Sequence, residues 1–217
     1  LSCLEEVSGD LRIEDSSSLS VDLSSLHTVG GEVYIGSNDS LESVDLGVLS
    51  TVGSYFQLQS NGNLSSFDLP LLESVGSYFY MESNYSLVSL SLPSLASLSG
   101  DGSDEEESWS ELYISNNSQL EEASIPVLAS VSQISFDWNN SLTSVDLSGL
   151  VSAGSLSFHS ESDWYWDEEA GEEYQMGGLS SLSLDSLESV SDQFTLYYTS
   201  LSELSLPSLA TVNQLEL

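Results

Sequence analysis

Residues 31–53 read GEVYIGSNDSLESVDLGVLSTVG, residues 54–76 read SYFQLQSNGNLSSFDLPLLESVG, and residues 77–99 read SYFYMESNYSLVSLSLPSLASLS. These segments are copies of one unit, because apolar residues stand at the same places in each. A fixed period of this length is typical of a solenoid, in which each unit buries its apolar side chains only by stacking on its neighbours. The repeat therefore predicts one stacked domain over residues 1–217, with a period of about 23 residues and roughly nine coils.

Each unit contains two short stretches in which apolar and polar residues alternate, as expected for strands with one buried face. Val33 and Ile35 mark the first stretch of one coil, and Val44 and Leu46 mark the second. All four prolines follow the second stretch directly, where their missing N–H indicates a corner. We expect an all-β, right-handed parallel β-solenoid with two or three short strands per coil. Two further inward columns close each coil, and they begin with Leu49 and Val52.

A polar turn containing asparagine follows the first strand of most coils. Asparagine can bond backbone groups of neighbouring coils, and this structural role is the preferred interpretation of the column. The column comprises Asn38, Asn61, Asn84, Asn117 and Asn139. The same turns contain five N-x-S sequons, so we also predict N-linked glycans along one edge. The sequon residues are Asn38, Asn63, Asn84, Asn116 and Asn139.

The repeat as a whole follows the string L-x-L-P-x-L-x-x-V-G-x-x-(F/L)-x-(I/L)-x-S-N-x-x-L. This string resembles the leucine-rich, receptor L-domain-like repeats of fungal and other eukaryotic cell-surface proteins. The resemblance covers residues 1–217 apart from two insertions, at 101–109 and 163–178. It implies a secreted, N-glycosylated protein at the cell surface.

The chain is strongly acidic, with 35 acidic residues, one basic residue and a formal net charge of −34. Self-repulsion at this density destabilises a compact state in low salt, so we expect the protein to work where cations are abundant. Arg12 is the only cationic side chain, which excludes nucleic acid and direct binding to anionic membranes. Cys3 is the only cysteine, so no internal disulfide forms.

Two groups of aromatic residues are candidates for partner binding. Three tyrosines occupy the outward position of the first strand and form a contact stripe, although scattered surface tyrosines are an equally simple interpretation. Three more aromatics stand among carboxylates in the second insertion, where they suit a sugar or protein contact, or fold back as a lid. The candidates are Tyr34, Tyr80, Tyr113, Trp164, Tyr165 and Trp166.

Asp22, Asp45 and Asp68 occupy the outward position of the second strand in consecutive coils. Like charges one strand apart repel by roughly 1 kcal/mol even in water. Such a ladder invites bridging by Ca²⁺, and water with counter-ions is the alternative. The acidic first insertion lacks the spacing of an EF-hand loop and is interpreted as a solvated loop.

No catalytic constellation is recognisable, because His27 and His159 belong to different coils and lysine is absent. We predict a non-enzymatic extracellular structural or adhesion module with no cofactor except Ca²⁺. Its partners would be cell-surface or matrix components, or a second copy stacked head to tail, because Leu4 and Val7 match the closing half of a repeat and Leu215 the opening half. A ligand-binding receptor ectodomain is the first alternative, and a carbohydrate-active β-helix enzyme is the second.

Overall fold

The chain is an all-β solenoid of parallel sheets, as the repeat predicted. The computed structural model describes residues 1–99, 109–160, 164–167, 172–175 and 178–217. It has about eight turns with a period of about 23 residues, one fewer than expected. Nine strands stacked in one sheet are separated by eight turns, and this accounts for the difference. Across the described ranges no helix has the length and apolarity that a membrane crossing requires.

The longest face of the solenoid is a nine-stranded parallel sheet built from the first strand of every coil. Two of its strands, β5 (Val33–Gly36) and β8 (Phe56–Gln59), pair in register, so that Val33 lies beside Phe56 and Ile35 beside Leu58. The sheet consists of β2 (Leu11–Glu14), β5 (Val33–Gly36), β8 (Phe56–Gln59), β11 (Tyr78–Glu82), β14 (Glu111–Ser115), β16 (Ser130–Asp137), β18 (Ser152–His159), β22 (Ser189–Tyr197) and β23 (Thr211–Glu216).

Shorter parallel sheets form the other faces. One face is a five-stranded sheet of β1 (Glu6–Val7), β4 (Thr28–Val29), β7 (Thr51–Val52), β10 (Ser74–Val75) and β13 (Ser97–Leu98). The remaining face holds a three-stranded sheet of β3 (Ser20–Asp22), β6 (Ser43–Asp45) and β9 (Ser66–Asp68), and a four-stranded sheet of β12 (Ser89–Ser91), β15 (Glu122–Ser124), β17 (Ser144–Asp146) and β21 (Ser181–Ser183).

The second half of the solenoid has two strands per coil instead of three. Strands β16, β18 and β22 are eight or nine residues long and include the segment that forms a separate short strand in earlier coils. Within the second insertion, β19 (Trp164–Asp167) and β20 (Glu172–Gln175) pair as an antiparallel hairpin.

The interior is a continuous apolar core, and the predicted inward columns are confirmed. Phe56 and Phe79 are fully buried, with stacked rings whose centroids are 5.0 Å apart. Full burial of such a side chain contributes about 1.5–3 kcal/mol, and every coil repeats the gain. Leu206 and Leu209 of the last coil are only partly buried, because one neighbouring coil covers them and not two.

A buried asparagine ladder joins the coils at the end of the long sheet, as the structural interpretation predicted. The Nδ2 of Asn61 donates to the carbonyl of Ile35 (3.0 Å) and to Oδ1 of Asn84 (3.1 Å). The backbone N–H of every ladder residue except the last, Asn139, also donates to the Oδ1 of the next, at 3.3 Å from Asn38 to Asn61. The side chains of the three central residues, Asn61, Asn84 and Asn117, therefore satisfy groups of their own coil and of both neighbours, which ties the coil spacing to hydrogen-bond geometry.

Candidate functional site: the outer face of the long sheet

Three columns of side chains cover the outer face of the nine-stranded sheet, because every second residue of each strand points outward. The middle column is Arg12, Tyr34, Gln57, Tyr80, Tyr113, Ser135, Ser157, Thr195 and Glu216. The trailing column is Glu14, Gly36, Gln59, Glu82, Ser115, Asp137, His159 and Tyr197. The leading column contains Tyr78, Glu111, Gln133 and Ser155. Tyr55 and Glu32 extend this column, and each stands directly before its strand, β8 and β5 respectively.

Large side chains fill the first half of this face. Tyr80 stacks on Tyr113 with ring centroids 4.7 Å apart, and Tyr55 stacks on Tyr78 at 4.6 Å. The Tyr80 hydroxyl donates to Glu82 (2.7 Å), and burial together with this bond raises its pKa. Two of the three predicted stripe tyrosines are therefore in contact, whereas Tyr34 is separated from Tyr80 by the strand that carries Gln57.

Arg12, the only cationic side chain of the protein, lies on the face of Tyr34 between two carboxylates. Its guanidinium carbon is 4.7 Å from the ring centroid. One terminal nitrogen is 2.5 Å from Glu32, and the other is 3.6 Å from Glu14. A cation on an aromatic face with two carboxylate partners is a favourable arrangement for a planar guanidinium.

A groove of about 540 Å³ occupies the second half of the face. Its floor follows the middle column, where small side chains replace the tyrosines. Tyr113 belongs to its wall at the boundary with the filled half, and Asp137 and His159 belong to its wall in the trailing column. The lining residues are Tyr113, Gln133, Asp137, Trp138, Ser155, Leu156, Ser157, His159, Gln193, Thr195, Tyr197 and Glu216.

Two exposed aromatic residues beside the groove adopt a backbone conformation that bulky side chains avoid. The corner after the long strand holds a residue at positive φ in seven coils, and five of these are Asp15, Ser37, Ser60, Ser83 and Asn116. The other two are Trp138 (φ 56°) and Tyr198 (φ 54°), which are 48% and 50% exposed. The left-handed region costs roughly 1–2 kcal/mol for an ordinary L-residue, and about half of each ring remains in contact with solvent.

An aromatic cluster surrounds His159 at this end of the face. The imidazole lies over the Tyr198 ring, with centroids 5.7 Å apart, and meets the Tyr197 ring edge-on at 6.1 Å. The Tyr197 hydroxyl donates to Glu216. That bond raises the pKa of Tyr197 and lowers the pKa of Glu216, because it stabilises the neutral phenol and the charged carboxylate together.

The predicted metal residues line a second groove, of about 480 Å³, on the sheet of β3, β6 and β9. Asp22, Asp45 and Asp68 stand side by side there. Oδ1 of Asp22 accepts from the N–H of Ser24 (3.1 Å), and Oδ1 of Asp45 from that of Gly47 (3.0 Å), so both cap local turns. Within the described parts of the chain no three acidic, histidine or cysteine side chains converge as a metal site. Bridging by Ca²⁺ stays a prediction.

Burial divides the five predicted sequons. Asn38 and Asn84 are fully buried, Asn139 is 2% exposed, and all three amides donate within the ladder. The prediction of glycans on these three is wrong for the folded chain, because a glycan on Nδ2 would displace those hydrogen bonds and has no path to solvent. Asn63 is exposed and Asn116 is half-buried, and glycosylation of these two stays a prediction.

Several candidate residues lie elsewhere. Trp164, Tyr165 and Trp166 form part of β19, and their side chains, like residues 101–108 of the first insertion, fall outside the described residues. His27 is exposed at the corner before β4, in a different part of the molecule from His159.

Sequence reasoning missed the groove and its aromatic residues. A signal was available for Trp138, because the residue before each of the other ladder asparagines is Ser or Asn. No comparable signal marked Asp137 or Tyr197, since the groove depends on which strands become neighbours.

Comparison with known proteins finds no matching family model, no similar curated protein and no similar solved structure. The resemblance to leucine-rich, receptor L-domain-like repeats therefore rests on the repeat residues and stays a prediction. Function must be argued from the outer face itself.

Proposed function

We propose that this protein is a non-enzymatic extracellular adhesion module that holds a partner in the groove of the nine-stranded sheet. The supporting observation is the pair Trp138 and Tyr198, two half-exposed aromatics kept at positive φ beside the groove. Small polar residues occupy the same corner in five other coils, and two of them, Asp15 and Asn116, are of the types that tolerate this conformation. A binding role gives a reason to keep large rings at this place, because aromatic side chains supply most of the contact energy at recognition surfaces.

The rigid scaffold favours recognition over catalysis. The groove residues project from paired strands, which hold them in fixed register without a hinge. The face contains one histidine, and its hydroxyl and carboxylate groups are tied in local pairs, such as Ser135 with Asp137 and Tyr197 with Glu216. A ligand-binding receptor ectodomain would use the same groove and is the nearest alternative.

An array of neutral, acidic and basic oligosaccharides and peptides, probed with labelled protein, tests the proposal. We expect the native protein to be retained on a defined subset, without product release, and Trp138→Asn to lose at least about fivefold in retention, as for an interface anchor. Ser60→Trp, which places a ring at a corner far from the groove, is the control for a general effect of an exposed indole.

Three outcomes separate the alternatives. Retention that depends on Trp138 supports the adhesion module, whereas saturable binding of a soluble ligand alone favours the receptor ectodomain. Release of shortened oligosaccharides would favour the enzyme. Equal retention of the native protein and Trp138→Asn on every spot would contradict a groove-based function.

The predicted glycans and Ca²⁺ enter the proposal only at accessible positions. Asn63 and Asn116 lie in the turn after the long strand, so glycans there would border the outer face. Loss of mass on N-glycosidase treatment of native protein, confined to these two sites, is the expected result. An unmodified intact mass from the native source would remove glycosylation from the proposal.

A further inference from the structure

The chain contains its own example of how this face holds a cation. Arg12 stands in one row of the middle column and stacks on Tyr34 in the adjacent row. One of its carboxylates, Glu14, is in the trailing column of the arginine's row. The other, Glu32, is in the leading column of the tyrosine's row, directly before Val33. The arrangement is thus a ring, a cation one strand away, and two acids at fixed register positions.

The same set of positions recurs at the boundary of the groove without a cation and in mirrored order, because the ring here stands on the earlier of the two strands. Tyr113 is the last ring of its stack, and its neighbour on the next strand is Ser135. Asp137 stands in the trailing column of the Ser135 row, as Glu14 does in the Arg12 row. Glu111 stands in the leading column of the Tyr113 row, as Glu32 does in the Tyr34 row. Ser135 itself is nearly buried, and the groove adjoins Tyr113 on the side away from Tyr80, where Gln133, Asp137 and Ser157 line it around the serine.

We propose that the Tyr113 end of the groove binds an arginine side chain of a basic partner protein, stacked on Tyr113 between Glu111 and Asp137. The inference deepens the proposed function and rests on it, since it names the partner chemistry of the same groove. Arginine fits better than lysine because its planar guanidinium stacks on a ring and donates to two acids at once.

The charges of the molecule favour this partner over others. A net charge of −34 with one cation attracts a basic protein from a distance and repels acidic ligands. A second copy of this chain is a poor source of the guanidinium, because Arg12 already lies on Tyr34 between Glu32 and Glu14. Burial raises the pKa of Glu111, so this carboxylate is partly desolvated, and an incoming cation would offset that cost. A neutral oligosaccharide would stack on the same ring but leave both acids without a cationic partner.

Isothermal titration of the full chain with three matched peptides tests the proposal. The peptides alternate glycine with arginine, lysine or citrulline, at ~0.15 M salt to suppress long-range attraction. We expect the arginine peptide to bind, the lysine peptide to bind at least about threefold more weakly, and the citrulline peptide not to bind.

Variants then locate the site. Glu111→Gln and Asp137→Asn should each weaken arginine-peptide binding about three- to tenfold, and Tyr113→Leu by a similar factor. Asp68→Asn removes the same charge from another face and should change binding less than about twofold. The unfolding midpoint of each variant, measured in parallel, distinguishes loss of the site from loss of the fold.

Each contrary result has a definite meaning. Equal losses in Asp68→Asn and Asp137→Asn, or equal binding of the arginine and lysine peptides, would show nonspecific attraction and overturn the arginine site. Binding of a neutral oligosaccharide that requires Trp138 and Tyr113 but not the two acids would also overturn it, while leaving the proposed adhesion function intact. If neither peptides nor oligosaccharides bind in a manner that depends on the groove residues, both proposals fail.

Discussion

The two halves of the outer face share one scaffold and differ in what stands on it. In the first half, Tyr34, Tyr80 and Tyr113 fill the middle column, and the only cation lies on Tyr34. In the second half the column continues as Ser135, Ser157 and Thr195, and the last two of these line a groove. The cores beneath are alike, since Phe56 and Phe194 occupy equivalent buried positions. A solenoid can thus change its surface coil by coil while its interior stays constant, because inward and outward residues alternate independently along each strand.

The asparagine ladder is the element common to both halves, and breaking it should have the largest effect. Asn84→Ala removes donors to the carbonyls of Leu58 (3.0 Å) and Glu82 (3.1 Å) and the acceptor for Asn61. Buried partners then lose their hydrogen bonds, so we expect the free energy of unfolding in urea to fall by about 3–5 kcal/mol. Asn63→Ala, at an exposed site in the equivalent turn of the preceding coil, is the matched control and should cost less than about 1 kcal/mol. If Asn84→Ala and Asn63→Ala lowered the free energy of unfolding equally, the ladder would add no stability beyond that of the turns.

Converting the groove half into a copy of the filled half should abolish binding. Ser135→Tyr continues the stack of Tyr80 and Tyr113 by one strand and occupies the space above the groove floor. We expect arginine-peptide binding to weaken at least about tenfold, because the ring takes the place of the guanidinium. Ser91→Tyr, the same change on an exposed position of β12, should leave binding unchanged. Undiminished binding to Ser135→Tyr would separate the ligand from the Tyr113 end.

Replacing an aromatic residue at a positive-φ corner by a polar residue, as found at the corners of the first half, should increase the stability of the fold. Trp138→Asn places a residue that tolerates positive φ at a corner now held by tryptophan, so we expect stability to rise by about 1 kcal/mol. Asn116→Trp, the reverse exchange at the corner after β14, should lower it by a similar amount. Urea midpoints of both variants at equal m-values measure the effect. A loss of stability in Trp138→Asn would indicate that the indole packs as a structural element.

The aspartate column distinguishes the halves on another sheet and predicts a smaller, salt-dependent effect. Asp45 lies between Asp22 and Asp68, whereas Asp146 lies between Ser124 and Ser183 and caps its turn in the same way. Asp45→Asn keeps the turn acceptor and removes one charge, so we expect a gain of about 0.5–1 kcal/mol at low salt that disappears at high salt.

Asp146→Asn is the control for this column and should show no comparable gain. Thermal midpoints in EDTA and in millimolar Ca²⁺ at matched ionic strength complete the experiment. Stabilisation of the native protein by Ca²⁺ that is lost in Asp45→Asn would support bridging. Equal midpoints would leave only screening by counter-ions.

The smallest expected effect is the pH dependence of protein stability that arises from Glu111. Burial raises its pKa in the folded state above that in the unfolded state, so the ionised form destabilises the fold. This cost is absent below the unfolded pKa, grows as pH rises through the interval between the two values, and is complete above the folded pKa. Glu111→Gln should therefore be more stable than the native protein at neutral pH and equally stable in acid. Glu122→Gln, on the exposed side of β15, controls for the loss of one charge, and an identical gain there would assign the effect to net charge.

The columns of the repeat are sufficient to predict the architecture of the chain. The same buried position is occupied in consecutive coils by Val33, Phe56 and Phe79. Because each coil must bury a side chain there, every repeat has an apolar residue at this position. The inward role of Asn61 was predictable for the same reason, because a polar residue repeated at one turn must bond its own copies. The number of turns was off by one, since the first and last coils are incomplete.

Only the tertiary structure decided what the outward residues do, because their neighbours come from other coils. The stacking of Tyr80 on Tyr113 and the position of Arg12 on Tyr34 depend on which strands pair. The sequons Asn63 and Asn84 look alike in sequence, and burial alone separates them. The sequence by itself determined the core because burial acts on each unit identically, whereas the groove is a property of the surface between coils and exists only after they stack.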